Sequence, residues 1–160
     1  MSETTNETRT NLVPMSGGEL ARIGAIGAVL GMLSVGLHAL LHAYVFQAVL
    51  CSDQASAACT QASNYAAIAT TFIVSLAAVA LLVRIRVYRP LLVVLAVVLA
   101  LWGIQSIVVV LPWYLALVGM VAVGALSYSL FAWIARLRLF ALAAIVTVVV
   151  AVLVRCVIVL

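Results

Sequence analysis

Apolar stretches of about twenty residues, separated by arginines or by short polar turns, recur from Gly17 to Leu160, and that succession leaves few folds open. A helix rises 1.5 Å per residue, so about 20 apolar residues are needed to cross the hydrocarbon core of a bilayer. Of the 160 residues 68% are hydrophobic and 8% charged, with a mean hydropathy of +1.38. The chain therefore has room for four or five spans and for no separate soluble catalytic module. The expected fold is an all-α membrane protein, a bundle of five transmembrane helices over residues 23–44, 65–83, 91–110, 115–135 and 139–160. The alternative is four spans followed by a re-entrant or shallow C-terminal segment. Residues 1–16 read as a disordered cytoplasmic tail and 17–160 as one transmembrane domain, with an outer loop over 51–64.

The tail is not a cleavable leader, because Glu3 and Glu7 stand where a basic region belongs and the apolar run that follows is too long. Ser16 and Glu19 fit a capping box that starts the first helix, and Pro90 suits the first turn of the third. The formal charge of +4 comes from arginines at span ends, so it signals topology and not nucleic acid. Arg9 and Arg22, then Arg84, Arg86 and Arg89, then Arg136 and Arg138, fall on alternate connections. By the positive-inside rule the N-terminus is cytoplasmic and the C-terminus outside, in the inner (plasma) membrane. Lysine is absent and Ala, Val, Gly and Arg are abundant, as in GC-rich prokaryotic genomes.

At 100° per residue, Gly24, Gly27, Gly31, Ser34, His38 and His42 fall in a sector of about 80° on the first helix. In lipid, helices associate where small residues let backbones approach and where polar groups find partners. The first four residues are thus expected to pack closely against another helix, and the two histidines to form a polar continuation. Ser127, Tyr128 and Ser129 of the fourth span also read as helix-contact residues.

With this topology the polar residues gather on the outer side. Cys51 and Cys59 should form a disulfide there, worth about 2.6 kcal/mol by chain entropy for a nine-residue loop. His38, His42, Gln105 and Arg155 lie at depths where unpaired polar groups are costly, so a polar cluster or ligand site is expected among them. His38 and His42, at i and i+4, have the geometry of two metal ligands, though a closed site needs three or four. A haem bridged within one chain is excluded, because both histidines project from one face; a haem or transition metal shared between subunits stays open.

A helical bundle with a cysteine pair in the outer loop after the first span is similar in layout to vitamin K epoxide reductases and their bacterial relatives. The likeness implies thiol–disulfide exchange at Cys51 and Cys59. It ends there, since those enzymes need a second, quinone-facing Cys-x-x-Cys and only Cys156 remains.

No Asp or Glu lies inside a span, which disfavours an ion-coupled transporter. Mid-helix breaks are not expected, because Pro90 and Pro112 both sit at span ends. The leading expectation is a structural or accessory subunit, a homo-oligomer or part of a larger membrane complex, assembling through the Gly/His face of the first helix. An outer-facing thiol-redox or metal site, and an oligomeric pore for small solutes, are the competing readings.

Overall fold

The computed structural model describes residues 16–51, 59, 61–87, 89–104, 110–137 and 140–159. Five helices account for nearly all of them: α1 (Gly17–Leu50), α2 (Ala62–Arg84), α3 (Pro90–Leu101), α4 (Trp113–Ile134) and α5 (Phe140–Val159). Three of these, α1, α2 and α4, are long and apolar enough to cross a membrane. Each helix also turns large apolar side chains outward: Val29 is 61% exposed, Phe72 66%, Leu95 61%, Leu126 70% and Ile145 63%. Water would penalise such a surface on every side, whereas hydrocarbon accepts it.

The capping box forms as the sequence requires. Glu19 N donates to Ser16 Oγ at 3.2 Å and Ser16 N donates to Glu19 Oε2 at 2.9 Å, which satisfies two amides at the start of α1. From there α1 runs well past the expected 23–44. It is α-helical to Leu40, widens to a π-helix over Leu41–Phe46, and closes with one α-turn, Gln47–Leu50. The loosened stretch lies against α2, where Phe46 stacks on Tyr65 with ring centroids 6.3 Å apart.

The third helix departs furthest from expectation. Instead of spanning 91–110, α3 ends at Leu101: Trp102 turns to an extended ψ of 121° and Gly103 takes φ +90°, which glycine alone adopts without strain. The expectation of unbroken spans looked only at proline, and it is a tryptophan–glycine step that ends this helix. Because Val93, Val94, Ala96, Val97 and Ala100 are all buried, α3 is the most enclosed element, packed between α2, α4 and α5.

The remaining boundaries follow the sequence closely. Pro112 caps α4, and Trp113 and Tyr114, edge to face and both exposed, open it. Arg86 and Arg89 take left-handed φ values of 55° and 57° to turn the chain from α2 into α3. Arg89 Nη1 then donates to the Leu137 carbonyl at 3.2 Å and ties that turn to the one after α4. Since α1 and α4 run antiparallel, Arg22 also lies toward this end. Charge therefore collects at one end of the bundle, and the cysteines and histidines lie toward the other.

Candidate functional site

The closest helix pairing is α1 on α4, and glycine makes it possible. A Cβ on Gly27 would stand 2.5 Å from the Gly124 carbonyl oxygen and 2.9 Å from Tyr128 Cβ. One on Gly31 would run into the Met120 carbonyl, and one on Gly124 into the Gly27 carbonyl. Gly24, higher on the seam, faces only the Ser129 hydroxyl. Ser34 is buried next in line and donates to its own Gly31 carbonyl at 2.7 Å. The small-residue half of the α1 stripe is thus engaged within the chain, against Gly124 and its neighbours, where backbone meets backbone.

The two histidines continue the stripe but not the seam. Their rings stack with centroids 6.1 Å apart and planes 9° from parallel, both half-exposed, and His38 Nδ1 is buried with no hydrogen-bond partner among the described residues. Cys51 and Cys59 are bonded to each other, with Cα atoms 4.8 Å apart. Among the described residues no group of three His, Cys, Asp or Glu could hold a metal ion, so His38 and His42 stand as a pair. Of the other expected polar groups, Gln105 lies outside the described residues. Arg155 belongs to α5 by its backbone, its side chain lying outside the described set, and Cys156 is free and exposed.

Sequence reasoning did not anticipate a cavity of about 610 Å³ between α1, α2, α3 and α4. Toward the cysteine end α2 and α3 diverge, and the space between them is walled by Ser63, Asn64, Ala67, Ile68, Thr70, Thr71, Val74 and Ser75 of α2 and by Val97, Val98, Leu101, Trp102, Gly103 and Ile104 of α3 and its break. Leu30, Gly31, Ser34, Met120, Gly124 and Tyr128 form the floor, which is the seam itself. Among the described residues no Asp, Glu, Lys, Arg or His lines it. Thr71 Oγ1 donates to the Ala67 carbonyl at 2.8 Å and Ser75 Oγ to the Thr71 carbonyl at 2.6 Å, the usual back-bonds of hydroxyls in apolar helices. Thr70, the buried residue just before Thr71, makes no such bond, and its Oγ1 has no partner among the described residues.

The signal for this cavity was present in the second span. Ser63, Ala67, Thr70, Thr71 and Ser75 recur at intervals of three and four in a helix otherwise rich in Ala, Val and Leu, which sets one small, polar face. The missing half was the end of α3 at Trp102, which makes room opposite that face. Comparison with protein-family models, curated proteins and solved structures finds no match for this chain, so its own geometry carries the functional argument.

Proposed function

We propose that the chain is a five-span inner-membrane protein, N-terminus inside, with a binding role: an accessory subunit that meets its partner through the histidine half of the α1 stripe. The observation that carries this is His38 and His42. Two partly exposed imidazoles stand on a helix whose neighbouring residues Ala39, Leu40, Tyr44 and Val45 are exposed. A polar side chain facing hydrocarbon is costly, and a polar group from a second copy or a larger subunit offsets that cost. The glycine half of the stripe contributes differently, by fixing α1 on α4 so that the imidazoles are presented on a rigid rod.

Arginines gathered at one end of the bundle, opposite the disulfide, support the proposed orientation. Reporter fusions at the α2–α3 and α4–α5 turns should read inside and one in the 51–64 loop outside; the reverse pattern overturns it. The assembly reading is tested with a His38→Leu/His42→Leu variant, analysed by crosslinking in native membranes. Crosslinked species should disappear while the Cys51–Cys59 bond and thermal stability are retained. Unchanged crosslinking, or a variant that stays assembled in mild detergent, refutes it.

A further inference from the structure

The cavity between α2 and α3 calls for a ligand that the subunit role does not supply. Its floor is closed, because Gly31 and Gly124 lie on it and α1 meets α4 there backbone to backbone. The mouth is on the cysteine side and toward the bilayer, where Asn64, Ile68, Trp102 and Gly103 are exposed while Leu30, Ser34 and Thr70 are buried. At about 610 Å³ it falls in the ordinary range for small-molecule sites. Backbone that leaves helical form at membrane depth is tolerated where it lines a cavity, and the Trp102–Gly103 step does so.

The chemistry of the wall selects among ligands. A charged molecule would find no counter-charge among the described residues, since none that lines the pocket is ionised. Ser34, Thr71 and Ser75 each spend their one hydroxyl proton on a carbonyl of their own helix, so toward the pocket they can only accept. Thr70 Oγ1, in a residue 1% exposed, has neither its proton nor its lone pairs engaged among the described residues. A ligand that donates a hydrogen bond finds acceptors in all four hydroxyls.

We propose that this pocket binds a neutral lipophilic alcohol taken from the bilayer, its hydroxyl bonded at Thr70 and its hydrocarbon body between α2 and α3. The site is independent of the histidine interface. Trp102 lines the pocket and the other tryptophans do not, so a Trp113→Phe/Trp133→Phe background makes its emission a local reporter. Three heavy-atom quenchers of one chain length serve as probes: 11-bromoundecan-1-ol, its methyl ether and 11-bromoundecanoate. The alcohol should quench Trp102 saturably and bind about tenfold more tightly than the ether, the worth of one buried hydrogen bond, with no saturable quenching by the carboxylate. Thr70→Val should remove that tenfold preference. Ala67→Leu, which fills the pocket from its wall, should abolish saturable quenching by every probe while α1 and α4 stay paired. Quenching that rises linearly for all three probes means simple partitioning and overturns the proposal. Equal affinity for alcohol and ether, or an alcohol affinity indifferent to Thr70→Val, overturns it as well.

Discussion

Adding a single methyl group at Gly31 tests the central packing claim most directly. In Gly31→Ala the new Cβ meets the Met120 carbonyl and comes within 2.9 Å of its carbon and 3.3 Å of Val121 Cα, all backbone atoms that no rotamer change can move. At neighbouring Gly27 the gap to the Gly124 oxygen would be 2.5 Å, so the two helices must part by about 1 Å to restore ordinary contact. A gap of that size forfeits a quarter to a half of the dispersion energy across it; for roughly thirty atom pairs at about 0.15 kcal/mol each, the loss is about 1–2 kcal/mol. Overpacked cores lose similar amounts, about 1–3 kcal/mol. Alanine recovers up to about 1 kcal/mol of glycine's backbone penalty in a helix, so the net destabilisation should be about 0–2 kcal/mol, and about 1–2 kcal/mol relative to alanine at an open glycine. The control lies in the same protein. Nothing stands within 4 Å of a Cβ on Gly36 or Gly119, so alanine there should be neutral or stabilising by up to about 1 kcal/mol. Gly24→Ala meets only a serine hydroxyl that can rotate, and should fall between. Reversible unfolding in mixed micelles by titration with dodecyl sulfate, followed by circular dichroism and tryptophan emission, ranks the four variants. If Gly31→Ala unfolds together with Gly36→Ala, the α1–α4 seam does not have the geometry described.

Three further outcomes are expected. Removing the disulfide with Cys51→Ser/Cys59→Ser should cost about 2.6 kcal/mol in the same assay and leave the α1–α4 pairing intact, and native protein should take up two more alkyl groups after reduction than before. Gly103→Ala should cost about 1–2 kcal/mol although its Cβ would meet nothing, because φ of +90° is strained for any residue with a side chain; a neutral result would show that the break relaxes into helix. Arg89→Ala removes the 3.2 Å bond to the Leu137 carbonyl, a half-buried contact screened enough that about 1 kcal/mol is expected, seen as faster proteolysis at the α4–α5 turn.

How far the sequence reaches differs between elements. The start of α1 is local chemistry, Ser16 and Glu19 satisfying each other's amides, and it reads directly. Pro90 at the first turn of α3 is of the same kind. The end of α3 was not legible, because Leu91 to Val110 is apolar apart from Gln105 and Ser106, and two polar residues in a hydropathy pattern do not penalise helix after Trp102. The small residues of α1 were visible as a stripe, but not whom they touch. A stripe says that a backbone approaches closely, and only the chain's path shows that Gly124 of the same molecule fills that place.

By itself the sequence determined that the chain is helical, that its surfaces suit hydrocarbon, and that every arginine but Arg155 is expected at the end opposite Cys51 and Cys59. These follow from composition and from spacings of three and four, which every residue carries wherever its neighbours are. Tertiary structure alone decided that the glycine face closes within the chain, that His38 and His42 stack on each other partly buried beyond the seam, and that α2 and α3 leave a pocket lined by Thr70. In an apolar chain almost any helix face tolerates lipid or another helix, so hydrophobicity does not choose between partners. That choice is made by the fit of backbone on backbone and by where each hydroxyl finds a carbonyl, and both depend on residues far apart in sequence.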